Sequence, residues 1–444
     1  MRVLLVNVHK DYWSLTPLSQ KLISQSMMTY RTGIEMGAEE RAVVLDVGSG
    51  FTKAGFADKE KPSCVFLSVI GRPKYPPALI GPRYKDYYVG EEALKLKGIM
   101  RITYPLEHGI VKDWDGFRKL VEFAFNECLR IDPSKHPVLM TEPPLNPRDN
   151  RERIAEILFE EFRVPKLYIG MQALLAAYFA GKMTGLIVDI GDGVCHAVPI
   201  YEGFTIRHAI QRTNIGGRDI TNYLARLIMH HRGVALTTTA EKEIVRDIKE
   251  KLCYVSINPE AELAAIYGES ERVREYVAGA PPGGIEAAPK PEPAEYTLPD
   301  GSTITLLEER FLAPEVLFAP ALIGRDEPSL PDVVFEAITA CDIDVRRAMV
   351  ENIVLTGGSS LFPGLKERLE KELNTMLKEA GMNLTVNIIT PENREYAVWI
   401  GAAKLAALPE FQKSWITREE YEREGPRIIH RAVRLGALIP YLGV

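Results

Sequence analysis

Two stretches of the chain carry the residue types that could hold a phosphate chain and a metal. Val43-Val44-Leu45-Asp46-Val47-Gly48-Ser49-Gly50 and Leu186-Ile187-Val188-Asp189-Ile190-Gly191-Asp192-Gly193 follow one pattern: an apolar run, Asp, a β-branched residue, Gly, any residue, Gly. Glycines in a turn let backbone N–H groups approach an anion without obstruction by Cβ, and successive donors form a nest for phosphate oxygens. Asp46 and Asp189, each beside its turn, could share a hard divalent cation that also bridges phosphate oxygens, often through water. Lys53 can reach back from the strand after the first turn as a point charge. A single Asp-x-Gly-x-Gly is an ordinary hairpin turn, because both residue types favour turns. Two copies in matched strand contexts instead indicate a duplicated supersecondary unit, with two halves facing one another across a cleft.

A third glycine-rich element, Gly357-Gly358-Ser359, follows the apolar run Ile353-Val354-Leu355-Thr356 and precedes a helical pattern that starts near Leu365. A strand feeding a glycine turn and a helix N-terminus suits a ribose or phosphate. The chain has no G-x-x-x-x-G-K-[ST] and no G-x-G-x-x-G with an acidic residue about 20 positions on, so neither a P-loop nor a dinucleotide fold is expected.

The elements that must position these turns alternate between strand and helix patterns along most of the chain, the signature of an α/β architecture. With 444 residues, more than one core is expected. Apolar content of 46% and charged content of 26% are those of a globular protein, and a net charge of −6 argues against nucleic acid as the main partner. Residues 1–40 show no clear periodicity and form an N-terminal extension, and residues 278–293 are too rich in Pro and Gly for a helix or inner strand, so they form a surface loop. Cys64, Cys128, Cys195, Cys253 and Cys341 are an odd, scattered set without a C-x-x-C pair, which is expected to be buried or free thiols of a reducing compartment. The first residues have too short an apolar run for a signal peptide, and no segment approaches the ~18 apolar residues of a membrane helix. A cytoplasmic location is expected.

Beyond the turns, several stretches resemble actin. They are residues 46–57, Tyr104-Pro105-Leu106-Glu107-His108-Gly109-Ile110-Val111, and residues 136–147, 192–203, 237–254, 296–301 and 421–431, in co-linear order over about 41–433. The front extension, the Pro-rich loop and the tail after Arg434 are similar to those of an archaeal actin of the crenactin type. The resemblance implies an actin-like ATPase fold: two duplicated α/β halves, each a mixed sheet flanked by helices with an inserted subdomain, around a nucleotide cleft. It also implies four subdomains. Subdomain 1 takes 41–67, 105–179 and 398–444; subdomain 2, the insertion loop, 68–104; subdomain 3, 180–215 and 314–397; subdomain 4, 216–313.

Carried over residue by residue, the resemblance assigns Asp46, Asp189 and Gln172 to the metal and its waters. Gln172, His196 and Asp189 form the catalytic set, with Gln172 and His196 placing the attacking water. Gly48, Ser49, Gly50 and Lys53, with Gly191, Asp192 and Gly193, form the two phosphate loops. Lys249, Glu250, Gly357, Gly358, Ser359 and Tyr396 line the nucleoside pocket. Glu395 stands where actins usually carry a lysine, so the adenine edge differs. Taken alone, Gln172 is one polar residue in an apolar helical run, His196 a strand histidine of a core, and Lys249-Glu250-Lys251 a solvated helix face.

The implied activity is slow hydrolysis of ATP, with Mg²⁺ as the metal, by direct attack of water on the γ-phosphate. The implied partners are further copies of the chain in a cytoskeletal filament, and filament-regulating proteins. Two alternatives remain: an actin-related scaffold that binds ATP without polymerising, and a sugar kinase or chaperone of the same fold. A kinase needs a catalytic Asp in a sugar pocket. A chaperone needs a C-terminal β domain, for which the chain after the third turn is expected to be too short.

Overall fold

The computed structural model describes residues 41–74, 85–96, 98–268 and 290–431. The extension 1–40, most of the Pro-rich loop, residues 75–84 and 97 of the insertion loop 68–104, and the C-terminal tail lie outside the described residues.

In chain order the first half begins with β1 (Val43–Val47), β2 (Phe51–Phe56) and β3 (Cys64–Leu67). A small sheet of β4 (Ile70–Pro73), β5 (Tyr88–Val89) and β6 (Met100–Thr103) follows, then the hairpin β7 (Leu106–Glu107) and β8 (Ile110–Val111). The chain returns through β9 (Val138–Glu142) and β10 (Lys166–Met171). The second half holds β11 (Gly185–Ile190), β12 (Cys195–Tyr201), β13 (Phe204–Thr205) and β14 (Gln211–Thr213). It continues with the hairpin β15 (Ala294–Thr297) and β16 (Thr303–Leu306), then β17 (Ile353–Thr356) and β18 (Ile388–Ile389). The last strand, β19 (Ile416–Thr417), crosses back to the first sheet.

The duplication expected from the two motifs is present in the topology. The first large sheet runs β19-β10-β9-β1-β2-β3 and the second β13-β12-β11-β17-β18, with β14 also on β12. Each motif is an antiparallel hairpin, β1 with β2 and β11 with β12. In each half the hairpin's first strand pairs in parallel with a strand from much later in the chain, β1 with β9 and β11 with β17. A further parallel strand then follows, β10 on β9 and β18 on β17.

Both motif strands are apolar runs rather than alternating ones because both faces of each sheet are covered. Val43, Leu45 and Val47 point into the outer core of the first half, and Leu186, Val188 and Ile190 into that of the second. The intervening Val44 and Ile187 point instead into one shared inner core. Two helices fill that inner core, α1 (Gln172–Phe179) and α2 (Ala397–Ala406). They cross so closely that a Cβ on Gly401 would lie 1.9 Å from the Leu175 carbonyl oxygen, so only glycine fits there. The fully buried Trp399 on α2 donates its indole N–H to the Val44 carbonyl at 3.2 Å, fixing the helix against β1. Strand periodicity then carries the chemistry: Asp46 shares the face of Val44, and Asp189 and His196 share that of Ile187, so all three open onto the edge of the inner core.

One sequence expectation is overturned. Cys64 and Cys128 form a disulfide, with Cα atoms 6.0 Å apart, while Cys195, Cys253 and Cys341 are free and buried. The helical segment Ala124–Leu129 packs on β2 and β3 and brings together two cysteines that are 64 positions apart, a pairing that spacing alone does not reveal. The cysteine content therefore gives no support to a reducing compartment. Among the described residues no helix is long and apolar enough to cross a membrane.

Candidate functional site

The two motif turns are built alike. Gly48 N–H donates to the Phe51 carbonyl at 3.0 Å, and Gly191 N–H to that of Val194 at 3.0 Å. Strand register sets Asp46 opposite Lys53 and Asp189 opposite His196. Asp46 is 4% exposed, and both its oxygens are engaged. Oδ1 accepts from Thr141 Oγ1 at 2.6 Å and from Gln172 Nε2 at 3.1 Å, while Lys53 Nζ lies 3.3 Å from Oδ2. Gln172 reaches this position as the first residue of α1, directly beyond the end of β10.

Asp189 has a matching partner from the equivalent strand, since Thr356 Oγ1 donates to its Oδ1 at 2.9 Å. Burial raises the Asp189 carboxyl above the usual carboxylate range, the Thr356 hydrogen bond and Lys53 oppose that shift, and the charge of Asp46 adds to it. A hard cation held between the two carboxylates would relieve that repulsion on Asp189.

The turns meet tip to tip. A Cβ on Gly50 would lie 2.6 Å from the Cβ of Asp192, and one on Gly193 would lie 3.2 Å from the Cβ of Ser49. Arg218 bridges them: Nη2 donates to the Ser49 carbonyl at 2.8 Å, Nε donates to Asp192 Oδ2 at 3.1 Å, and the guanidinium sits 4.2 Å from the centre of the Tyr104 ring. The β7–β8 hairpin adds two more bonds across the junction. Gly109 N–H donates to Ser49 Oγ at 2.8 Å, and His108 Nδ1 lies 2.7 Å from the Gly193 carbonyl. The side chains of Ser49 and Asp192 are thus tied to neighbours, which leaves the backbone of the turns as the surface an anion would meet.

The third turn joins the same junction. Gly357 has φ 88°, a conformation other residues rarely adopt, and a Cβ there would lie 2.4 Å from the Ile190 carbonyl oxygen. Ser359 Oγ donates to the Gly191 carbonyl at 2.9 Å. Lys249 is not on a solvated face: it is 5% exposed and donates to the Gly217 carbonyl at 3.1 Å, and burial holds its ammonium below the usual lysine range. Its neighbours Glu250 and Lys251 are exposed, as a solvated face requires. Gly358 has nothing within 4 Å of where a Cβ would be. Tyr396 stands beside Lys53, whose Nζ is 6.0 Å from the ring centre. Arg394 is turned away to Ser360, with Nε 3.0 Å from Oγ.

His196 is 2% exposed, and neither ring nitrogen has a hydrogen-bond partner among the described residues. Burial pushes its pKa down to about 3, with Arg212 adding to the effect, so the ring is neutral at ordinary pH. A buried imidazole without partners costs stability unless something fills the space beside it.

Sequence reasoning missed Thr141, Thr356 and Arg218. The two threonines had a signal, because each follows three apolar residues near the end of a fully buried strand (β9 and β17), where a hydroxyl is out of place unless it has a polar target. Arg218 had none beyond the Gly216-Gly217 pair before it. Orphaned imidazole nitrogens, paired carboxylates and turns with no room for a Cβ fit a metal-bound polyphosphate. Compared with known families, residues 37–434 match the family described as Actin.

Proposed function

The chain belongs to the actin family, and from that premise we propose that it binds ATP with Mg²⁺ between the two motif turns, hydrolyses it slowly and assembles into filaments. The observation that carries this reading is the tip-to-tip approach of the turns, Gly50 to Asp192 and Ser49 to Gly193, with Asp46 and Asp189 on either side. On this reading Asp46, Asp189 and, through water, Gln172 hold the metal, which neutralises phosphate charge when bound. Lys53 and the N–H groups of residues 48–50 and 191–193 hold the phosphates. Lys249, Glu250, the Gly357–Ser359 turn and Tyr396 hold the nucleoside. The four-subdomain division and the crenactin-type assignment are part of the same proposal, as are a cytoplasmic, cytoskeletal location and the absence of a nucleic-acid partner.

The chemistry follows from His196 and Gln172. A neutral imidazole with a pKa of about 3 can accept a hydrogen bond from water but is a poor proton acceptor. Gln172 has no base at all. Both groups orient water rather than activate it, and without a strong base or an arginine finger turnover is slow. Such a protein acts as a timed switch.

Calorimetry tests the metal assignment. Asp189→Ala should bind Mg-ATP about 10- to 100-fold more weakly than wild type while remaining folded. Unchanged affinity would remove Asp189 from the metal site and the paired-turn reading with it.

A further inference from the structure

A cavity of about 520 Å³ opens beyond the C-terminal ends of β9 and β10, outside the set of residues assigned above to nucleotide. Its lining is strongly basic, with Arg148, Arg151, Arg207, Arg427, His430 and Arg431 against only Glu142 and Glu424. Several of these charges are paired. Arg151 Nη1 lies 2.5 Å from Glu142, His430 Nε2 2.8 Å from Glu152, Arg431 Nη2 2.7 Å from Glu420, and Glu424 is 2.8 Å from Arg423. Arg148, Arg207 and Arg427 have no ion pair or side-chain hydrogen bond among the described residues, and all three are exposed at the cavity.

Two further features converge on the same space. Arg151, only 7% exposed at its side chain, has a buried Nε without a partner among the described residues. Arg148 and Arg151 also belong to the helix Arg148–Glu156, whose N-cap, Pro147, supplies no side-chain cap to the free N–H groups of the first turn. Guanidinium forks and a helix N-terminus are the donors that recognise planar or tetrahedral oxyanions. On a chain of net charge −6, three arginines outside any described ion pair around one cavity are a local reversal of sign.

We propose that this cavity is a binding site for a small divalent oxyanion, held by Arg148, Arg207 and Arg427 over the helix N-terminus and separate from the nucleotide cleft. The shared chemistry is two negative charges on closely spaced oxygens, and either a phosphate or a dicarboxylate supplies it. The proposal does not depend on ATP being the ligand of the paired turns.

The test is calorimetric titration of the full-length protein, saturated with Mg-ADP at low ionic strength, with inorganic phosphate and, in a second arm, succinate. The site predicts saturable binding of at least one of these probes with a dissociation constant on the order of 1 mM or tighter. The arm that binds more tightly identifies the source. Affinity should fall about tenfold or more in the Arg207→Ala/Arg427→Ala pair, and further in Arg207→Glu. These arginines make no ion pair or side-chain hydrogen bond among the described residues, so the fold should tolerate their loss, and Arg148→Gln alone provides a milder variant with the same expected direction. Asp189→Ala should leave the anion affinity within about twofold, because it alters only the cleft. Absence of saturable binding overturns the proposal, as does equal affinity in the arginine variants and wild type. So does loss of binding in Asp189→Ala with retention in the arginine pair, which would place the anion in the cleft.

Discussion

His196 has a pH signature that distinguishes it from the carboxylates around it. In the folded, nucleotide-free chain burial holds the imidazole neutral down to about pH 3, whereas the unfolded chain takes up the proton near the ordinary value of 6.5. Between those values the unfolded state binds the extra proton, so the site's contribution to stability falls as pH drops, by about 1.4 kcal/mol per unit. Asp189 works in the opposite sense, because its raised folded pKa makes the folded state hold the extra proton and lose stability as pH rises through the carboxylate range. The informative quantity is therefore the difference between wild type and His196→Gln. Urea unfolding at pH 6.5 and pH 5 should show the variant gaining on wild type at the lower pH, and parallel stabilities would mean that His196 is solvated or partnered in solution. Much of this site could be read from residue types and spacing, since the structure brings Asp46, Asp189, Lys53 and the motif glycines to one junction. Lys249 could not: its burial depends on Gly217, 32 residues earlier, presenting its carbonyl and leaving no Cβ in the way.

The turns make a sharper prediction at the level of elements, because glycines of similar appearance in the sequence face different surroundings. A Cβ at position 50 meets the Asp192 side chain, whereas one at position 358 meets nothing. Gly50→Ala should therefore separate the two turns, cost about 1–3 kcal/mol of stability and weaken nucleotide binding. Gly358→Ala should leave the melting temperature within about 1 °C of wild type, a shift corresponding to well under 1 kcal/mol. Thermal melts with and without Mg-ADP read both variants; equal behaviour of the two would mean that the turns do not touch. The strands themselves were evident in the sequence because doubly covered strands are unbroken apolar runs. Their neighbours were not. β9 and β17 join β1 and β11 from 95 and 167 residues away, the separations of the Thr141–Asp46 and Thr356–Asp189 bonds. No local pattern encodes such pairing. The cysteines make the same point: the structure predicts three thiols in the denatured, unreduced protein and five after reduction, and a count of five before reduction would contradict the Cys64–Cys128 bond.

Taken as a whole, the described residues build two large sheets that share one inner core, and in the proposed assembly that layer would accommodate any relative motion of the halves. α1 and α2 form it, with no space between them at Gly401, and α1 continues directly from β10 of the sheet that holds Asp46. Gln172 is the first residue of α1, and its amide is now bonded to Asp46 at 3.1 Å. In the proposed assembly, a small rotation of the second half against α1 would bring the γ-phosphate and its water toward that amide. Orientation of this kind changes rates by orders of magnitude and leaves binding nearly intact. The direct test follows phosphate release and light scattering together, at several protein concentrations, in wild type and Gln172→Ala. The account predicts that wild-type turnover per subunit rises once the concentration passes the assembly threshold, and that Gln172→Ala binds ATP and assembles but releases phosphate about 10-fold or more slowly after assembly. Equal wild-type turnover below and above the threshold, or no assembly at any concentration, would contradict it and leave a nucleotide-binding scaffold that does not polymerise.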